Sequence, residues 1–444
     1  MKPTTPPVGR PIVVYFFHRI IDAMILAFCI ACFDISVAFG QEDDSWTPDR
    51  SEYSVQQLTF GPKNHLFGYI GHAGTIPWNK SERYILCLRT RFQDHMPELD
   101  EPADIVLLDT QNNFEPKRIA QTRGWNLQQG AMMYWNPDAP DSQFFFNDRD
   151  PITGDPFAVL FDISKGENGR RIHEYRFDGS PIGNSGVSQQ GGEFLGLNYG
   201  RLARLRLVTG LAGSKDWSAN ENAPENDGIF KVDVNSGKRT LLVSYRQLRD
   251  SIDDVADIGQ YGLFINHTLW NRDGNRIYFY VRANFKSKLP KVDIPFTIKS
   301  DGSELTRHKH LGGHPEWDND DILICSDGNK QIRYDVVDRK IVDSIGDSST
   351  FFDPGGDIAR TPDRSWFING HKIKKQQETF FTLFHFATNR VIRTAGFPIG
   401  EFTSGALRID PAPCWNRKSN QILFGAYDAE TNTRQLFLLR IVNP

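Results

Sequence analysis

The stretch FINHTLWNRDGNRIYFYVR, from Phe264 to Arg282, constrains the fold more than any other in the chain. It reads as a strand edge, a tight Asn-Arg-Asp-Gly turn, and a second strand of alternating character. The phrase recurs. Copies place a tryptophan at Trp78, Trp135, Trp270, Trp317 and Trp415, each followed by a polar turn and an apolar run, and a degenerate sixth copy has Arg360 at that position. Between them lie strand–acidic turn–strand motifs such as Ile105-Val106-Leu107-Leu108-Asp109 and Ile229-Phe230-Lys231-Val232-Asp233. Each unit amounts to about four strands repeating at roughly 45 to 60 residues, the range of propeller blades. The wide gap between Trp135 and Trp270 has room for one more blade, expected around residues 198–208. The expectation is an all-β chain: a seven-bladed β-propeller of four-stranded antiparallel blades, with one short helix in 245–258.

Propellers of 444 residues form a single unit, and aromatics at 12% supply a core. A net charge of -4 gives no electrostatic reason for a nucleic-acid partner. Lys2, Arg10 and Arg19 precede the apolar run 20–33, and Ser36 and Ala38 follow in a cleavage-like arrangement. This is the pattern of an export signal, with an N-terminal anchor as the alternative; the run is short for a span and carries Asp22. The resulting division is 1–40 signal peptide or anchor, 41–60 linker and closing segment, and 61–444 propeller. An exported, periplasmic or extracellular protein without stable membrane insertion follows. Removing the signal leaves Cys87, Cys325 and Cys414, an odd set without metal or redox spacing; the first two sit in apolar strand patterns, as buried free thiols do.

Chemistry emerges from comparing one position across the repeats. Three residues before the tryptophan position stand Thr75, Met132, His267, His314, Asp357 and Ala412. Equivalent positions share radius and height around a propeller channel, so His267, His314 and Asp357 come from three consecutive blades and can converge on one cation. Two imidazoles and a carboxylate suit zinc, manganese or iron. His310 is an additional candidate ligand. The plainer alternative is that these side chains hydrogen-bond neighbouring blades with no metal. A second constellation is Tyr199, Arg201 and Arg204; read as a strand, this segment presents an arginine fork suited to a carboxylate or sulfate, with Tyr199 as a proton donor or acceptor. The alternative fate of those arginines is pairing with Asp216 and Glu221. Gln129 and His72, each six residues before a tryptophan, are candidate sugar contacts at the channel mouth, and Trp46, Trp125 and Trp217 are candidates for stacking on sugar rings.

The phrases NHTLWNRDGNRIYFYVR, GGHPEWDNDDILICSD and DPAPCWNRKSNQILFGA resemble the blade motifs of TolB-type propellers. More narrowly, they resemble the oligogalacturonate-lyase and ulvan-lyase propellers of exported polysaccharide-degrading systems. The resemblance covers most of residues 60–444 as architecture. It implies an acidic polysaccharide or oligosaccharide as partner and a divalent metal (manganese, zinc or calcium) held mainly by histidines. It also implies a histidine or tyrosine that handles the C5 proton, and arginines that hold the uronate carboxylate. On that basis His267, Tyr199, Arg201 and Arg204 are the candidate catalytic residues, Gln129 and His72 the substrate contacts, and His314, Asp357 and His310 the metal ligands. Ala412 departs from the pattern, standing where the metal-binding lyases carry a histidine, so Asp357 or Asp410 would have to compensate. The expected function is β-elimination on a uronic-acid polymer, with a non-catalytic propeller binding glycans or proteins as the alternative.

Overall fold

The structure, a computed structural model, describes residues 48–68, 75–285, 288–309 and 311–442. These form seven antiparallel sheets arranged as the blades of a propeller. Six blades follow chain order from the inner strand outward, over residues 64–122, 134–175, 183–244, 264–307, 312–345 and 357–393. In the sixth, Phe397–Pro398 adds a short fifth strand. The seventh is composite. Its three inner strands are Cys414–Trp415, Gln421–Asp428 and Thr433–Ile441, and its outermost is Tyr53–Gln57, paired in register from Tyr53 opposite Ile441 to Gln57 opposite Phe437. The expected export signal lies outside the described residues, and no helix among those described is long and apolar enough to cross a membrane.

The repeated phrase owes its form to two devices. The residue after the tryptophan folds the turn: Asn271 Oδ1 accepts from the N–H groups of Asn275 and Arg276 at 2.9 and 3.0 Å, and Asn416 Oδ1 from those of Asn420 and Gln421 at 3.0 and 2.9 Å. An Asx side chain that occupies turn N–H groups sets the hairpin before any long-range contact forms. The tryptophan itself then ties its blade to the one before. Trp135 Nε1 donates to Pro77 O at 2.8 Å, Trp270 to Gly186 O at 3.1 Å, Trp317 to Leu269 O at 2.9 Å and Trp415 to Ala359 O at 3.2 Å. Pro77, Leu269 and Ala359 each directly precede the tryptophan position of the preceding blade. By the same rule Gly186 identifies Val187 as the third blade's equivalent. At the degenerate copy Arg360 does the job ionically, bonding Asp318 of the fifth blade at 2.8 Å. Closing the ring, Arg417 Nε of the seventh blade donates to Trp78 O of the first at 3.1 Å. These indoles are almost wholly buried, and burying one is worth roughly 4–6 kcal/mol gross.

The third blade corrects the sequence reading. Its strands are Gly183–Val187, Glu193–Leu197, Gly228–Asp233 and Arg239–Ser244, and residues 198–227 are an insertion between the second and third of them. The expected strand around 198–208 is instead a helix, α1 (Tyr199–Arg206), because Asn198 caps it by accepting from Arg201 N–H while Tyr199 and Leu202 share its buried side. A second helix, α2 (Tyr245–Asp250), begins at Ser244 with a complete capping box and falls within the expected helical segment. Cys87, Cys325 and Cys414 are buried free thiols.

Deeper in the channel, Glu316 lies on the inner strand Gly312–Trp317 with 1% exposure. Its Oε2 accepts from Arg360 N–H at 2.8 Å, and its Oε1 has no partner. Burial pushes its pKa up to about 8 despite the Arg272 and Arg360 guanidiniums. The folded state therefore keeps a proton that the unfolded chain releases near 4.5. This stabilisation is complete below that pH and is lost as pH rises through about 8.

Two measurements test these points. Trp317→Phe keeps most of the buried ring but removes the indole donor to Leu269 O, and should lower the free energy of denaturant unfolding by about 1–3 kcal/mol; an unchanged midpoint would show that the indole N–H is dispensable. Glu316→Gln should flatten the decline in thermal midpoint between about pH 5 and pH 9 and leave the variant more stable than wild type at the alkaline end. Parallel curves would mean that Glu316 is not the group titrating.

Candidate active site on the face where the inner strands begin

In every blade the inner strand starts, and the second strand ends, on the same face of the propeller. The insertion 198–227 and the 399–413 connection open on that face too, since each joins strand ends lying there. His267 sits at its centre. It lies within the inner strand Phe264–Trp270 at a register shift between Asn266 and Leu269, with φ +56°. A non-glycine residue in the left-handed region is uncommon, and a bulge of this kind re-aims the side chain. The distortion repeats at equivalent positions: Met132 has φ +52° and Ala412 φ +41°, while Gly313, next to His314, has φ +72°. The position compared across the sequence repeats is thus a recurring kink at the top of the channel.

The series His267, His314, Asp357 is brought together as a chain of neighbours. The two imidazole centroids are 5.5 Å apart at 65°, and His314 Nδ1 lies 3.3 Å from Asp357 Oδ1. Asp357 Oδ2 accepts from Ala412 N–H at 3.1 Å. Asp410, beside it, takes Lys372 Nζ at 2.7 Å and Arg408 Nε at 2.9 Å. The two carboxyls are driven apart: burial and the nearby Asp410 raise Asp357, whereas Lys372 and Arg408 overcome burial to lower Asp410. Environments that split neighbouring carboxyls in this way prepare one as an acid and one as an anion.

Around His267 stand three half-buried guanidiniums. Arg282 Nη1 donates to Asn266 Oδ1 at 3.0 Å and its Nε to Asp293 at 2.6 Å. Arg206, at the end of α1, lies over the Phe285 ring at 4.6 Å. Arg408 is held by Asp410. Burial first, then Arg282, His314, Arg408 and Arg206, push the His267 pKa well below its ordinary 6.5. The ring is therefore neutral at neutral pH. Its cavity, shared with Gln129, Met132, Ser185 and Tyr199, has a volume of about 10 Å³, room for roughly one water.

The other expected site residues fare differently. Gln129 lines the His267 cavity with Oε1 unpartnered. Tyr199 lines it too, but burial pushes its phenol pKa up and its Oη donates to Asn184 O at 2.9 Å. Arg201, expected to hold substrate, is fully buried; it donates to Leu263 O, Ser218 Oγ and Glu221 O at 2.6, 3.1 and 3.1 Å and stacks over Tyr245. Its work is to staple the insertion to the blade, because a buried guanidinium must spend its donors on carbonyls. Arg204 is exposed and bound to Asp216 at 2.8 Å. Neither arginine lines the cavity. Trp125 is wholly buried and Trp217 donates to Pro181 O, while His72, His310 and Trp46 lie outside the described residues. Sequence reasoning passed over Arg282, Lys372 and Arg408. A signal existed for the first two: each stands twelve residues after its blade's tryptophan position, Trp270 and Arg360.

Among the described residues no group of three or more His, Cys, Asp or Glu side chains could hold a metal ion. His314 Nδ1 lies beside Asp357 Oδ1 and Ala412 offers no donor side chain, so the described residues do not fit the expected metal. Solved structures resemble this fold. An oligogalacturonate lyase in complex with manganese is 14% identical, covers 90% of this chain and 96% of its own, and aligns with a TM-score of 0.58. Oligogalacturonate lyase from Vibrio parahaemolyticus is 11% identical with the same two coverages and a TM-score of 0.56. TolB from Acinetobacter baumannii aligns over 77% of this chain at a TM-score of 0.37 and 11% identity. No sequence family and no curated protein matches the chain. At these identities the likeness is one of architecture: the chain shares the seven-bladed propeller of the oligogalacturonate lyases.

Proposed function

We propose that the protein is an exported lyase-like propeller that binds a uronic-acid-containing oligosaccharide or polysaccharide on the His267 face and cleaves it by β-elimination. One observation carries this reading: a neutral imidazole surrounded by the Arg206, Arg282 and Arg408 guanidiniums. Elimination needs a base for the weakly acidic carbon next to a carboxylate, and cations for the enolate-like charge that develops. His267 takes the C5 proton, and the electron pair of that C–H bond forms the C4–C5 double bond as the C4–O bond breaks. The arginines hold the carboxylate and offset its growing charge. Asp357, whose pKa is raised, lies behind His314 and supplies through that imidazole the proton that the departing oxygen takes up. No step is assigned to a metal, since the described donors do not converge. The solved lyases of this architecture, named for oligogalacturonate, support the substrate class.

A second reading, a propeller that binds the same acidic glycans without cleaving them, is favoured by the tightness of the His267 cavity. The two part in one experiment. Purified protein is incubated with pectic, ulvan and glycosaminoglycan oligomers, with chelator and with added manganese, while absorbance of the unsaturated product is followed. Turnover is expected, with a plateau extending to the acid side of pH 6.5 because His267 stays neutral there. His267→Ala should reduce kcat by about 10²–10⁴-fold, and Arg282→Ala should chiefly weaken binding. Binding without product on every substrate would leave the glycan-binding reading standing and sink the lyase.

A further inference from the structure

Among the described residues two large aromatic rings are more than half exposed, Phe60 at 62% and Phe352 at 51%. Each lies in a segment leading from an outermost strand into the next inner strand, so both belong to the His267 face. Phe352 is built as a platform. Its ring stacks on His371 at 4.9 Å and 26°, and His371 stacks in turn on Phe380 at 5.5 Å and 16°. Three rings in file hold the outermost one rigidly, so little side-chain freedom is left to lose when something lands on it. The turn beyond Phe352 is fixed as well: Gln331 Nε2 donates to Pro354 O at 2.7 Å, and Asp353 Oδ1 accepts from Gly355 N–H at 3.0 Å.

The platform is tied to the cationic site. Gly355 packs so closely on Gly313, the neighbour of His314, that a Cβ there would lie 3.1 Å from the Gly355 Cα. His371 and Lys372 are consecutive on the strand Trp366–Ile373 and point to opposite faces, the one to the platform and the other to Asp410. An apolar ring face beside a cluster of cations complements one kind of ligand, a pyranose whose C–H face is apolar and whose substituent is an anion.

We propose that Phe352 is the stacking platform for a second sugar unit of an acidic oligosaccharide, next to the unit held by Arg282 and Arg408. This rests on the reading of the His267 face as an acidic-glycan site, and it adds a length requirement: ligands longer than the central unit gain from the platform.

The test measures calorimetric binding of galacturonate and its dimer to the full chain, as wild type, Phe352→Ala, Phe352→Trp and Arg282→Ala. Phe352→Ala should weaken the dimer about tenfold more than the monomer, and Phe352→Trp should restore the preference. Arg282→Ala should weaken both ligands alike. Equal losses for monomer and dimer in Phe352→Ala, with wild type binding both, overturn the platform and spare the site. Failure of wild type to bind any acidic oligomer overturns the site and the platform with it. Thermal midpoints of the variants, expected to match wild type at this exposed ring, guard against a folding defect.

Discussion

The bond from a tryptophan indole to a backbone carbonyl one blade earlier is what the rest of the molecule depends on. A sheet of four strands cannot bury its own faces, and it becomes stable only against a neighbour. Each blade therefore needs a fixed offset to the previous one, and Trp135, Trp270, Trp317 and Trp415 provide it by inserting a large buried ring whose single donor has one acceptor to find. The contact combines area with direction: the ring supplies hydrophobic burial, the N–H supplies register. Where the ring is absent the geometry survives by other means. Arg360 reaches Asp318 instead, and the third blade, with Val187 at that position, is held through the large cluster it shares with its neighbours.

That offset is what aligns the site. Because successive inner strands begin at matching height, the kinks at Met132, His267 and Ala412 fall on one ring around the channel, and His314 and Asp357 meet His267 from adjoining blades. Rigid strands carry these residues, while the cations come from strand ends, from α1 and from the connection before the seventh blade. The arrangement concentrates positive charge beside an imidazole that cannot easily accept a proton at rest. A negative charge placed there would relieve the repulsion.

The sequence disclosed the blades because their signal is local: a tryptophan, an Asx turn and an alternating strand lie within some twenty residues. It disclosed the His267, His314, Asp357 series because repeats convert spacing into position. It misled at residues 198–208, where alternating arginines fit a strand as well as a helix and the cap at Asn198 decided the matter. Arg201 shows the deeper limit. Whether a guanidinium faces solvent or carbonyls depends on what the insertion 198–227 folds onto, and that information is spread over Ser218, Glu221, Asn222 and Leu263. Arg282 and Lys372 were readable in principle by the same register comparison applied to the second strand.

The composite seventh blade sets an order on the birth of the fold. Tyr53–Gln57 has no partner until Thr433–Ile441 exists, so a growing chain carries an unpaired, edge-exposed strand through nearly all of its synthesis. Bringing those two segments together closes a loop of almost the whole domain, an entropy cost of roughly 5 kcal/mol. The last pairing must supply that at once, through five strand residues and the packing they bring. The ring is thus closed by a pairing between segments from opposite ends of the described residues, and it opens if that one pairing is lost.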